Sequence, residues 1–145
     1  MFYSIDCWDN YLARIMHEDH SIIALVQMRS TESKEDNLKA SVDYIGEAAD
    51  RKASLVCFPE FQMAFSSSKQ SSKDLTNKVA EYVKGGNFIS VLCKAAKHNK
   101  INVIATIYEK NRDRNEFRVH DTAVLINHNG NIASVYRKLH LYDAL

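Results

Sequence analysis

No stretch of the chain approaches the roughly 18 consecutive apolar residues that a membrane-spanning helix needs. The opening residues carry Asp6, Trp8 and Asp9 where a secretory leader would have a basic segment and an apolar core. Neither a span nor a leader is expected. Cysteine is scarce: Cys7, Cys57 and Cys93 are odd in number and lack any CxxC spacing, which excludes a disulfide framework and a zinc knuckle and favours a reducing, cytoplasmic setting. No sign of charge dominates, with 19 basic against 18 acidic residues, and the basic side chains are scattered, so a nucleic-acid or anionic-membrane surface is not expected. The pair Gly85-Gly86 stands without the further glycines or lysine of a phosphate cradle. No internal repeat or low-complexity tract is present. With 145 residues, one ordinary domain with a real core is possible and a second is not expected.

Proline is also nearly absent, and the one at position 59 closes the most informative stretch, Ala53-Ser54-Leu55-Val56-Cys57-Phe58-Pro59-Glu60. The run reads as a buried strand that stops at Pro59, whose fixed φ and missing N–H end a ladder. A single carboxylate, Glu60, is delivered at that carboxyl end, where open α/β sheets build their sites. A surface glutamate in a βα loop is the plain alternative on this stretch alone.

Around it the chain reads β-α-β-α-α-β-β-β. Residues 1–20 form an extension that does not resemble the rest, with Tyr11, Leu12, Ile15 and Met16 at helical spacing. SIIALVQM at 21–28 reads as a central strand. Ser33 followed by Asp36 opens a helix whose stripe is Leu38, Val42, Ile45 and Ala49, with Lys39, Asp43, Glu47 and Asp50 facing water; Gly46 within it weakens the helix or marks close helix packing. Phe61 to Ser72 reads as a loop that could line a pocket. A helix over 74–83 through Leu75, Val79 and Val83 is followed by one capped by Asn87, with Phe88, Val91, Leu92 and Ala95 on one side and Cys93 an inert thiol within it. INVIATIY at 101–108 is a strand, 109–116 a turn, 117–127 a long strand, and Asn129-Gly130 predicts a type I′ hairpin into IASVYRKLHL at 132–141. Early strands alternating with helices and later ones forming hairpins predict a mixed sheet with helices on its outer face.

Glu60 and Lys138 lie 78 positions apart, both at predicted strand ends. A carboxylate beside an ammonium is a base next to an oxyanion stabiliser. At this point the sequence resembles the nitrilase, or carbon–nitrogen hydrolase, superfamily. The resemblance is carried over residues 21–145 by IIALVQM, NLKA, LVCFPEF, INVIATIYEK, RVHDTAVLINHNGNI and YRKLHLYD. It implies an αββα sandwich of which 21–145 would be the amino-terminal half, and a Glu-Lys-Cys triad with Glu60 as general base and Lys138 as the lysine that stabilises the oxyanion. It further implies thiol-dependent hydrolysis of a small amide or nitrile at a non-peptide C–N bond, with no cofactor. His140 matches a position near the pocket, its role open.

In one respect the sequence departs from the pattern. The family's nucleophilic cysteine follows the lysine on a later strand end, and none of Cys7, Cys57 and Cys93 stands there; by strand alternation Cys57 should point away from Glu60. The expectation is therefore a chain inactive alone, associating as a homo-oligomer or with a complementing second chain through apolar faces and strand edges. A non-catalytic binding or regulatory module of the same fold is the first alternative. A metal-dependent phosphoesterase is another, opposed by the cation of Tyr136-Arg137-Lys138 where more oxygen ligands would be wanted. His98, His120, His128 and His140 lack the spacing of zinc ligands.

Overall fold

The structure, a computed structural model, describes residues 21–65, 75–111 and 119–140. Five strands form one sheet in chain order: β1 (Ile22–Leu25), β2 (Ala53–Cys57), β3 (Asn102–Lys110), β4 (Val119–Ile126) and β5 (Ile132–Arg137). Helix α1 (Lys34–Asp50) returns the chain from β1 to β2, and α2 (Asn87–Asn99) precedes β3, so β1, β2 and β3 run parallel. β3, β4 and β5 are antiparallel neighbours. The mixed sheet with covering helices is the architecture that the alternation of elements predicts.

The pairing register sorts the side chains onto two faces. Val103, Ala105 and Ile107 of β3 share one face with Thr122, Val124 and Ile126 of β4, and all six are buried. Both helices pack there, contributing Ile45 and Ala48 from α1 and Phe88, Ile89, Leu92, Ala95 and Ala96 from α2. Each of the large side chains among these supplies about 1.5–3 kcal/mol by leaving water. The opposite face, with Leu55, Cys57, Ile104, Ala123 and Leu125, stays half-buried. This is the open face of the sheet.

The run at 21–28 is not a central strand: β1 has four residues and lies at the sheet edge, with Ile22, Ile23 and Leu25 exposed. Helix α1 starts where Ser33 caps it, the Ser33 side chain accepting the Asp36 N–H at 3.1 Å, and Lys39, Asp43, Glu47 and Asp50 face water. Its deepest line, however, is Asn37, Ser41, Ile45 and Ala48, one residue round from the apolar stripe, because two polar residues are buried with their hydrogen bonds satisfied. Gly46 marks no close packing, since a Cβ there would meet nothing within 4 Å.

The segment expected to be helical over 74–83 is a single π-helical turn, Leu75–Val79, after which Glu81 bridges to Glu109 beside β3. Backbone pairing with the sheet thus overrides the weak Leu75, Val79, Val83 period. Asn87 is not the cap of α2; Gly86 is, and the missing side-chain cap is replaced by Glu81, whose Oε2 accepts the Phe88 N–H at 2.8 Å. A Cβ at Gly86 would overlap the Tyr82 carbonyl oxygen, so only glycine permits this approach. The β4–β5 turn is a type I turn closed by Gly130 N–H to Asn127 O at 2.8 Å, with Gly130 alone at positive φ (79°), and not the type I′ turn that Asn-Gly predicts. Asn127 causes the switch: its Oδ1 accepts both Asn129 N–H and Asn131 N–H. Glu109 and Lys110, expected in the turn over 109–116, belong to β3 instead; residues 112–116 and the helix proposed within 1–20 lie outside the described residues.

Candidate active site

β2 stops at Cys57, and the chain then crosses the carboxyl end of the sheet as Phe58-Pro59-Glu60-Phe61-Gln62. Thr106 on β3 fixes both sides of Glu60. Its hydroxyl donates to Pro59 O at 2.7 Å and accepts the Gln62 N–H at 3.3 Å, while its own N–H donates to Gln62 Oε1 at 2.9 Å. Gln62 is fully buried and its Nε2 donates to Ser41 Oγ on α1 at 3.0 Å, so the clamp is tied to the helix layer as well. Phe61, between Glu60 and Gln62, is held at φ 64°, a left-handed conformation that costs a non-glycine residue roughly 1–2 kcal/mol. Such strain persists only where neighbours over-determine it, as this clamp does. The run from Phe61 onward is therefore not loose at its start: Gln62, Met63 and Ala64 are buried.

Lys138 arrives from the other side of the sheet. β5 ends at Arg137, and the next N–H, that of Lys138, donates to Asp121 O on β4 at 2.8 Å. Alternation sends the two basic side chains to opposite faces. Arg137 turns to the helix face, where its Nε and Nη2 each donate to Glu109 at 2.7 Å, and Thr122 Oγ1 donates to the same carboxylate at 3.0 Å. Burial opposes ionisation of Glu109, but the hydrogen bonds from Arg137 and Thr122 and the Arg137 charge outweigh it and hold the carboxyl below the usual glutamate range.

Lys138 turns to the open face and meets Glu60. Its Nζ lies 2.8 Å from Glu60 Oε1 and 3.5 Å from Asp121 Oδ2. The two residues singled out in the sequence are thus brought into contact. Asp121 was not singled out, although an aspartate inside an otherwise apolar, β-branched strand is a signal in its own right. The Lys138 hydrogen bond, then a hydrogen bond from Asp121, hold Glu60 below its ordinary range. Burial, then the neighbouring Glu60, push Asp121 up, and the Glu60 hydrogen bond pushes Lys138 up. At neutral pH the cluster therefore presents a carboxylate able to accept a proton and an ammonium able to face a developing negative charge.

Aromatic rings stand beside it. Phe61 packs 6.3 Å from Tyr108 and edge-on to Phe65 at 6.0 Å, and Phe61, Met63, Thr106, Tyr108 and Asp121 outline a shallow dimple. Cys57 does not point away from this cluster. It pairs in register with Ile104 and shares the open face with Asp121, because strand alternation stops at Cys57 and the Pro59-Glu60-Phe61 turn redirects the chain. Burial raises the thiols of both Cys57 and Cys93, the condition of a poor nucleophile. His140 is exposed, two residues beyond Lys138. Among the described residues no three His, Cys, Asp or Glu side chains converge as a metal-binding group, and the space between Glu60 and Asp121 is filled by the Lys138 ammonium.

The model of the carbon-nitrogen hydrolase family matches residues 22–145, which takes in every element described above. The chain belongs to the carbon-nitrogen hydrolase family. It is 33% identical over 123 residues to a deaminated glutathione amidase of Dictyostelium discoideum, covering 83% of this chain and 42% of that protein. It is 31% identical over 127 residues to the nitrilase and fragile histidine triad fusion protein of Drosophila melanogaster, covering 87% of this chain and 26% of the relative. Among solved structures, an amidase from Nesterenkonia sp. superposes with a TM-score of 0.70 at 20% identity, covering 86% of this chain and 45% of that one. The chain thus has a nitrilase-like α/β fold, in part, and spans less than half the length of these relatives.

Proposed function

We propose that this chain carries the acid–base part of a carbon–nitrogen hydrolase centre acting on a small amide or nitrile at a non-peptide C–N bond. Glu60 is the general base and Lys138 stabilises the oxyanion. The observation that carries this reading is the 2.8 Å contact between Lys138 Nζ and Glu60 Oε1 at the carboxyl end of the sheet, in a chain of this family. Glu60 would take the proton of a thiol as it attacks the carbonyl or nitrile carbon. As the oxyanion forms, Lys138 would transfer a hydrogen bond from Glu60 to it, and losing that bond makes Glu60 a stronger base at the moment it is needed. Glu60 hands that proton to the nitrogen, which leaves as ammonia or an amine, and water, deprotonated by the regenerated carboxylate, hydrolyses the thioester.

The thiol itself is proposed to come from outside these 145 residues, since Cys7, Cys57 and Cys93 all precede Lys138, whereas the family's nucleophile follows it, and burial raises the thiols of Cys57 on β2 and Cys93 on α2. Exposed apolar side chains on the β1 edge and around Lys138, with Leu25 at 81% and Leu139 at 79%, support association with a second copy or a complementing chain. The test is ammonia release from simple amides. The purified chain should release none, whereas co-expression with the carboxy-terminal half of the Dictyostelium amidase should restore release that Glu60→Gln and Lys138→Met abolish. Turnover by the chain alone that stops when a cysteine is alkylated would overturn the external thiol. Restored release indifferent to both substitutions would overturn the roles of Glu60 and Lys138. The second reading, a non-catalytic module of the same fold, is favoured by the same two raised thiols and predicts no release in any combination.

A further inference from the structure

The contacts of Asp121 go beyond what a general base and an oxyanion lysine require. We propose that Asp121 is a positioning residue for the Glu60–Lys138 pair, anchoring Lys138 through both its main chain and its side chain. Its carbonyl accepts the Lys138 N–H at 2.8 Å, which fixes where the lysine leaves β5. Its Oδ2 lies 3.5 Å from the ammonium, on the strand side, while Glu60 reaches the same ammonium from the loop side. Packing does not explain an acid here, because its neighbours on that face of β4 are Ala123 and Leu125.

The titratable groups facing Asp121 are Glu60, Lys138 and Tyr108, which pairs with it in register and lines the same dimple. Glu109, His120 and Arg137 project from the other face of the same strands, by the register that pairs Glu109 with His120 and Thr122 with Arg137. Two carboxyl groups against one ammonium cannot both ionise without cost, so they bind protons as a coupled unit. Asp121, the more buried of the two, with 22% of its side chain exposed against 48% for Glu60, is the member that keeps the proton to higher pH. The consequence for turnover rests on the hydrolase reading. When Glu60 accepts a proton from a thiol it becomes neutral and stops compensating Lys138. Asp121 Oδ2, 3.5 Å from the ammonium, then remains as the counter-ion that keeps it in place.

Carbon-detected NMR titration of the 145-residue chain tests this without turnover. In the unsubstituted protein the Glu60 and Asp121 carboxyl carbons should each move in two steps with shared midpoints, Asp121 mainly above the ordinary range and Glu60 mainly below it. Asp121→Asn should leave Glu60 a single step and lower the midpoint of the Lys138 amine, because one of its two anions has gone. Single, independent steps for both carboxyl groups would overturn the proposal, and so would a Lys138 midpoint unmoved by Asp121→Asn. The ammonia assay fails separately. Coupled titration with no release from the complemented protein leaves the positioning role standing and removes the hydrolase reading. Release with uncoupled titration does the reverse.

Discussion

Arg137 and Lys138 are consecutive, both basic and both paired with a glutamate, yet they do opposite work. Arg137 faces the helix layer and makes a two-pronged bond to Glu109, which is 7% exposed and receives a third hydrogen bond from buried Thr122. Lys138 faces the open side and makes one bond to Glu60, with 37% and 48% of the two side chains in water. The first pair locks β5 onto β3 and β4 and so fixes the point from which Lys138 departs. The second is partly solvated and single-pronged, with Asp121 Oδ2 3.5 Å from the same ammonium, as suits the proton-transfer role proposed for Glu60. The strand's alternation places framework on one face and chemistry on the other within one peptide unit.

This contrast sets the size of each substitution. Arg137→Ala should cost the most, about 2–3 kcal/mol by urea unfolding, because it leaves the buried Glu109 carboxylate without its charged partner; half-exposure of Arg137 keeps the loss at the low end for a buried pair. Next comes the pH dependence. Glu109 is held below its ordinary range, so its stabilisation is fully present above that range and is lost as pH falls through the lowered folded value. Glu109→Gln should flatten the acid limb of the stability curve, and an unchanged limb would remove Glu109 from the framework. Thr122→Val, nearly isosteric, should cost about 1 kcal/mol through one lost hydrogen bond. Lys138→Ala should cost least, leaving the unfolding midpoint close to that of the unsubstituted chain, as loss of an exposed ion pair does. A loss as large as that of Arg137→Ala would erase the division between the two faces.

Much of this was legible in the residues. Pro59 announced the end of β2 and the delivery of Glu60 to the sheet's carboxyl edge, and the YRKLHLYD motif placed Lys138 at the end of β5. What stayed hidden was long-range and polar. Gln62 sits in an aperiodic, serine-rich stretch, and nothing local says that its amide will bridge Thr106 and Ser41. Asn37 and Ser41 are buried because partners exist for them on distant segments, so a rule that equates buried with apolar rotates α1 by one residue. Cys57 was misplaced for a related reason: period-two alternation holds within a strand and ends where Pro59 and the positive φ of Phe61 bend the chain.

The account depends first on Glu60 and Lys138 acting as one unit in solution. The most direct measurement is the titration of the Glu60 carboxyl carbon by NMR in the unsubstituted chain and in Lys138→Met. The contact predicts a midpoint below the ordinary glutamate range that moves up when the ammonium is removed. Superimposable curves in the two proteins would contradict it.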